Sequence, residues 1–258
     1  ATAEDFLNYQ LIEESKFNYQ FKNLNLIGHA GPSIGGLMVL KYLNGLTSES
    51  DDLEQALKNV YLERQNKYEF FGERRNVINN EISKISQSSS TIQVNTSDEN
   101  NFHFSITFSS GYGSGVLCKN TGMYFNNSLG EVELNPQGFL GDTMGDRLIS
   151  NMSPLIIETN DGICTIGSPG ADRISSAIAQ VLINFTDGDN WQEAINKPRF
   201  HVNSDGGVRA EPGYKNINKD TTVTEPFDMY FGGVCVTGNT NEIFSFGDKR
   251  RGNTSWKN

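Results

Sequence analysis

The chain has 258 residues, of which 36% are hydrophobic and 20% are charged, and its formal net charge is −10. This length and apolar content predict a globular fold with a substantial core and exclude a disordered chain. The negative charge argues against nucleic acid as a partner, because phosphates bind to basic surfaces.

The first third of the chain has a helical pattern. A capping-box start at Thr2 and Asp5 predicts a first helix, whose apolar face continues to Ile12. A second helix is predicted over 33–46, and a third begins after Asp51. No apolar run approaches the roughly 18 residues of a membrane-spanning helix, and no signal peptide is visible.

From Thr91 the apolar residues alternate with polar ones, which predicts β-strands over 92–96 and 102–108. The same criterion predicts strands at 115–118, 122–126, 154–159, 162–166, 207–211, 229–237 and 242–246. Helices are predicted from Gly170 to about Phe185 and over about 190–196. The change of pattern divides the chain into a mainly helical segment, 1–90, and a mainly β segment, 91–258, so the fold class is α+β.

The cysteines are far apart and lie in apolar, strand-like segments, at Cys118, Cys164 and Cys235. Buried, unpaired thiols are therefore expected. The histidines are scattered along the chain, which argues against a zinc site.

Thr91 begins the strand-like stretch Thr91–Thr96, and a glycine-rich turn follows at Tyr112–Gly115. A threonine whose own α-amino group is free can act as nucleophile and base in one residue. An isolated threonine at a strand start is ordinarily structural, so the prediction depends on the motifs around it.

Together with the stretch at Thr91, an ordered series of motifs resembles the γ-glutamyltranspeptidase family of N-terminal-nucleophile hydrolases. The motifs are Thr2–Tyr9, Gly31–Gly36, Gly113–Gly115, Thr121–Asn127, Ser150–Pro154, Gly167–Ile174, Pro198–His201 and Asp248–Gly252. They run over nearly the whole chain, and their order is more specific than any one of them.

The resemblance implies an αββα sandwich that is incomplete in this chain alone, because 1–90 matches only the end of the family's large subunit. It also implies autocleavage between Ser90 and Thr91, and a small-molecule γ-glutamyl amide substrate such as glutathione. No cofactor or metal is implied. The expected partner is a large-subunit-like N-terminal half, from the same gene or a separate chain, and the implied location is extracellular or periplasmic.

By the same resemblance, Thr91 is the nucleophile and the hydroxyl of Thr107 holds its rotamer. The N–H groups of Gly170 and Ala171 form the oxyanion hole, where alanine is tolerated if its φ is negative. Strand threonines and a plain strand-to-helix turn are the structural alternatives for these positions.

The substrate-binding positions implied by the resemblance are Ser109, Ser150 and Asn151 for a carboxylate and Glu131 for an α-amino group. A solvated surface acid is the alternative for Glu131. Ser109, Ser128 and Asn151 depart from the family pattern, so another acyl amide, as in cephalosporin-acylase-like relatives, stays open as the substrate. An uncleaved, catalytically inactive family member is the other alternative.

Overall fold

The computed structural model describes residues 4, 7–11, 13, 15–29, 34–48, 53–68, 91–131, 134, 148–203, 206–215, 217, 219–252 and 255–257. The strands are β1 (Lys16–Phe21), β2 (Leu24–His29), β3 (Ile92–Ser97), β4 (His103–Phe108), β5 (Leu155–Thr159), β6 (Gly162–Gly167), β7 (Phe200–Val202), β8 (Val208–Ala210), β9 (Thr221–Val223), β10 (Cys235–Asn239), β11 (Ile243–Phe246) and β12 (Trp256–Lys257). The helices are α1 (Gly35–Ser48), α2 (Leu53–Tyr68), α3 (Ile174–Thr186) and α4 (Trp191–Asn196).

The main sheet contains seven of these strands in the order β1-β2-β5-β6-β10-β11-β12, and every neighbouring pair is antiparallel. The hairpin β3–β4 and the small sheet β7-β8-β9 are separate from it. None of the helices within the described residues is long and apolar enough to cross a membrane.

The main sheet lies between a helical layer and the hairpin β3–β4. Ile166 in β6 belongs to the same buried hydrophobic cluster as Val39 of α1 and Ile178 of α3. Its neighbour Gly167 contacts the side chain of Gln93 in β3. Because successive strand residues point to opposite faces, helices cover one face of the sheet and the hairpin covers the other.

The strands β1 and β2 correct the expectation that the first third is helical. Phe21, Leu24 and Leu26 are buried in the main core, and β2 pairs with β5. The alternation of aromatic and amide residues in Lys16–Phe21 is a strand pattern, which only the pairing with β2 makes stable.

The other predicted elements agree with the structure to different degrees. Helices α1 to α4 and strands β3, β4, β5, β6, β8, β10 and β11 were predicted, with ends that differ by a few residues. The predicted strands 115–118 and 122–126 reduce to one bridge between Leu117 and Tyr124, and 229–231 is a 3₁₀ turn. The sequence patterns missed β7, β9 and β12 as well. Of the first predicted helix, residues 4 and 7 are helical and the N–H of Asn8 donates to the carbonyl of Glu4 at 2.9 Å, but 9–11 are not helical. Residues 2, 3, 5, 6 and 12 of this helix lie outside the described residues.

A buried network of charges joins the end of the chain to α4 and β8. Asp248 accepts from Arg199 at 2.8 Å and from Arg250 at 3.1 Å, and Arg250 also pairs with Glu211. Burial lowers the pKa of Arg199 to about 10, so the guanidinium stays charged at neutral pH. The backbone N–H of Val234 donates to Asp248 at 2.9 Å, which ties this network to the segment that leads into β10.

We expect Asp248→Asn to lower the free energy of unfolding by about 3–5 kcal/mol, because it leaves two buried guanidinium groups without a full countercharge. Urea denaturation of the purified protein measures this. Asp187→Asn is the control, since it breaks the exposed pair with Lys22 (side chains 56% and 43% exposed) and should cost less than about 1 kcal/mol. Equal effects of the two substitutions would contradict a structural role for the network.

Candidate active site

The register of the hairpin β3–β4 places Thr91 beside Ser109. Ile92 pairs with Phe108 and Gln93 with Thr107, so continuing the register by one residue sets Thr91 opposite Ser109. The Thr91 hydroxyl donates to the Ser109 hydroxyl oxygen at 3.1 Å, and the N–H of Gly111 donates to the same oxygen at 3.0 Å. The rotamer of Thr91 is thus fixed by Ser109, which follows β4 at the same, open end of the hairpin.

The expected contact between Thr107 and Thr91 differs from the structure. Thr107 donates its hydroxyl hydrogen to the side-chain oxygen of Gln93, its partner in the register. The Asp98 side chain accepts from the N–H groups of Asn100 and Phe102, which is a turn signal that the sequence shows. Once the turn is placed there, counting the paired residues outward along both strands identifies Ser109 as the partner of Thr91.

A polar seam, formed by Gln93, Asn95 and Ser105, fixes the inner face of the hairpin to the main sheet. Gln93 donates to Asn95 at 2.7 Å and to Ser105 at 3.0 Å. Asn95 then donates to the carbonyl of Cys235 at 2.8 Å. Gly167 is necessary for this close approach, because a Cβ there would clash with the Gln93 side chain. The position of Gln93 in the site depends on this tertiary contact, and no motif of the sequence indicates it.

A cavity of about 340 Å³ opens beside Thr91. Its described lining is Thr91, Ile92, Gln93, Pro169, Gly233, Cys235, Gly247, Asp248, Arg251 and Gly252. Burial raises the pKa of the Cys235 thiol to about 12, so that thiol is protonated at neutral pH and a poor nucleophile. Of the two candidate nucleophiles in this lining, Thr91 is the one whose chemistry suits attack on an amide.

The turn that follows Pro169 carries two unpaired backbone donors. Among the described residues, neither the N–H of Gly170 nor that of Ala171 donates a hydrogen bond. The turn is closed by the N–H of Arg173, which donates to the carbonyl of Gly170 at 2.9 Å. Pro169, which precedes these two residues, lines the cavity beside Thr91, although Gly170 and Ala171 do not. Adjacent free N–H groups are the kind of donors that can stabilise an oxyanion.

Ala171 does not meet the condition of a negative φ. Its φ is +54°, and that of Gly170 is +137°. The chain must reverse between the extended end of β6 and the start of α3, and the turn does so through left-handed backbone. Ala171 therefore carries strain that glycine would not.

Glu131 is buried and lies against the turn that follows β4. A Cβ at Gly111 would clash with its carboxylate oxygen and with the side chain of Asn127. The N–H of Tyr112 donates to Asn127 at 2.7 Å, which holds the two loops together. Through Gly111, the structure brings Glu131 near the Ser109–Thr91 pair.

Ser150 and Asn151 lie at the N-terminal end of α1. The carbonyl of Ser150 accepts from the N–H groups of Ile34 and Gly35, at 2.9 and 3.1 Å. The side-chain amide of Asn151 is buried, and neither of its polar atoms has a hydrogen-bond partner among the described residues. Neither residue lines the cavity beside Thr91, nor do Ser109 and Glu131. Within the same described residues, no group of His, Cys, Asp and Glu is arranged to hold a metal ion.

The family profile described as Gamma-glutamyltranspeptidase matches residues 51–224. The chain is 24% identical over 257 aligned positions to a glutathione hydrolase proenzyme of Escherichia coli (strain K12), with 78% of this chain and 44% of that protein covered. It is 29% identical over 164 positions to the capsule biosynthesis protein CapD proenzyme of Bacillus anthracis, with 58% of this chain and 30% of that protein covered. The chain thus spans less than half the length of these curated relatives.

Among solved structures, a cephalosporin acylase from Bacillus halodurans has a similar fold, with a TM-score of 0.76 at 18% identity. The superposition covers 99% of this chain and 55% of the acylase. At this identity the similarity shows the fold alone, which agrees with the αββα sandwich, incomplete in this chain alone, that the motifs imply.

We expect Ala171→Gly to stabilise the protein by up to about 1.5 kcal/mol. Relief of left-handed strain contributes about 1–2 kcal/mol, and the greater entropy of glycine in the unfolded chain offsets about 0.4–1 kcal/mol of it. Urea denaturation measures the difference. Ala177→Gly in α3 is the control and should destabilise by about 1 kcal/mol or more. A loss of stability in Ala171→Gly would contradict the strain.

Proposed function

The chain belongs to the γ-glutamyltranspeptidase family, and from this membership we propose that it contributes the Thr91 nucleophile of an amidohydrolase or acyltransferase. Its substrate class is γ-glutamyl amides such as glutathione. The observation that carries the proposal is the arrangement around Thr91. Its hydroxyl is hydrogen-bonded to Ser109, and the cavity beside it is lined by Pro169, which precedes the two free N–H groups at Gly170 and Ala171.

The nucleophile forms by self-cleavage. The Thr91 hydroxyl adds to the carbonyl carbon of Ser90, and the peptide nitrogen leaves as the α-amine of Thr91, which gives an ester. Water hydrolyses the ester, so that Ser90 ends in a carboxylate and Thr91 has a free amine and a free hydroxyl.

The acyl-transfer cycle uses the same hydroxyl. Its oxygen attacks the substrate amide carbonyl while the Thr91 amine takes the proton, and the N–H groups of Gly170 and Ala171 stabilise the oxyanion. The amine half of the substrate takes a proton and leaves, which forms an ester on Thr91. Water or an acceptor amine then cleaves that ester and regenerates the hydroxyl.

Glu131 and the pair Ser150–Asn151 are proposed to recognise the acyl portion. A buried carboxylate such as Glu131 is a suitable partner for a substrate ammonium group. The unpaired amide of Asn151 offers a buried donor and acceptor to a substrate group. Because this amide stands where the family pattern has a serine, an acyl group other than γ-glutamyl is the second candidate. This second candidate keeps Thr91 as the nucleophile and changes only the acyl group of the substrate.

The exposed outer face of the hairpin β3–β4 indicates that another segment or chain packs against it. This outer apolar face consists of Ile92, Val94, Phe104, Ile106 and Phe108, whose side chains are between 38% and 49% exposed. A contiguous apolar surface of this kind favours burial against another segment. We propose that a large-subunit-like N-terminal half covers it and that the boundary between the two parts of the chain lies at residue 90.

We expect purified protein to contain a fragment whose first residue is Thr91, because self-cleavage places the new amine there. Intact-mass spectrometry with N-terminal sequencing measures this. Thr91→Ala should leave the chain whole, since alanine has no hydroxyl. Thr96→Ala, an exposed position on the same hairpin, should be cut like the wild type. A wild-type chain that stays whole on long incubation, also with the N-terminal half supplied, would favour the inactive-member alternative.

Ser109→Ala should slow self-cleavage by about 10- to 100-fold, because the Thr91 hydroxyl loses the partner that fixes its rotamer. The fraction cut, followed with time by mass spectrometry, measures the rate. Ser109→Thr retains a hydroxyl and should recover most of it. An unchanged rate in Ser109→Ala would show that other contacts alone position Thr91.

A further inference from the structure

Arg251 presents a positive charge to the cavity beside Thr91. Its side chain lines this cavity and its stem packs on Gly233, where a Cβ would clash with it. Within the motif Asp248–Gly252, the sequence alone assigns no role to Arg251. The tertiary structure gives Arg251 its place at the site.

The guanidinium of Arg251 is poorly satisfied by the protein. Its Nη2 lies 3.5 Å from the carbonyl of Met229, and its Nε is buried without a hydrogen-bond partner among the described residues. No carboxylate of the described residues lies within ion-pair distance of it. A half-buried guanidinium with unused donors favours an anion from outside the protein.

The neighbouring charges do not neutralise this group. Asp248, the acid in the cavity lining, is already paired with Arg199 and Arg250. Burial, and then repulsion from Arg173, lower the pKa of Arg251, although the Asp248 charge opposes both. The electrostatics therefore favour a bound carboxylate next to Arg251.

The cavity is separate from the positions proposed to recognise the acyl group, because Ser109, Glu131, Ser150 and Asn151 do not line it. Thr91 contacts both regions. If the scissile amide is at Thr91, a group in the cavity belongs to the amine side of that bond. This step rests on the proposed function.

We propose that Arg251 forms a subsite for the carboxylate of the leaving or accepting amine, so that the enzyme favours amides of amino acids or peptides with a free carboxylate. The planar guanidinium binds the carboxylate through paired hydrogen bonds, and Pro169 in the cavity lining contacts the adjoining side chain.

The first test is a binding titration of the whole protein, followed by ligand-observed NMR, with L-alanyl-L-alanine and its C-terminal amide as probes. The dipeptide should bind the wild type at least about tenfold more tightly than the amide, because only the dipeptide has a carboxylate. Arg251→Ala should weaken the dipeptide to the level of the amide, and Arg251→Lys should bind with intermediate affinity.

Two further variants separate the effect of the position of Arg251 from the effect of its positive charge. Lys249→Ala removes the same charge from an exposed side chain that does not line this cavity, so it should bind the dipeptide as the wild type does. Gly233→Ala keeps the charge of Arg251 but displaces its stem, and should weaken the dipeptide. Circular dichroism verifies that each variant is folded.

The inference is overturned if the wild type binds the dipeptide and its amide equally, if it binds neither at millimolar concentration, or if Arg251→Ala and Lys249→Ala have equal effects. The titration requires neither cleavage nor turnover. An uncut, inactive wild type would therefore overturn the proposed function and leave the titration to decide the subsite. In an active protein, Arg251→Ala should raise KM for the dipeptide as acceptor about tenfold, whereas Lys249→Ala should not.

Discussion

The attachment of the hairpin β3–β4 to the main sheet controls the geometry around Thr91. The polar seam of Gln93, Asn95 and Ser105 forms this attachment through half-buried amide and hydroxyl groups. To the extent that such groups are buried, an unmade hydrogen bond costs more than a made one gains. Sliding the hairpin by one residue would leave these groups without partners and would turn its apolar side chains inward. The seam therefore specifies one position for the strand that begins after Thr91, relative to the turn at Gly170.

The buried charge network has a similar role on the opposite wall of the cavity. Asp248 binds two arginines and the backbone of Val234 while one side of it faces the cavity. Its negative charge is balanced by these two guanidinium groups, so Asp248 makes the cavity wall rigid and attracts a substrate cation only weakly. The adjacent Arg251 lies outside the network and keeps its charge available. Neighbouring residues in one short motif thus differ in chemical role because only one of the arginines is enclosed.

Local patterns predicted most of the helices and the hairpin, because the spacing of apolar residues in 92–108 and 170–185 is regular. They failed at β1 and β2, whose short alternation is stable only against β5. The partner of Thr91 was placed at Thr107, two positions before the serine that the pairing register selects. The positive φ of Ala171 and the place of Arg251 depend on how distant segments meet, which no local pattern records.

The pairing of β2 with β5 joins residues before position 90 to residues after it within one continuous sheet. A chain cut at residue 90 would keep that sheet, but its strands would then belong to two polypeptides with no covalent link between them. Loss of the fold would release two separate molecules, and recovery would require them to meet again, so it would depend on their concentration. The reaction that creates the nucleophile would in this way convert a fold that can be regained from one chain into one protected mainly by the slowness of its unfolding.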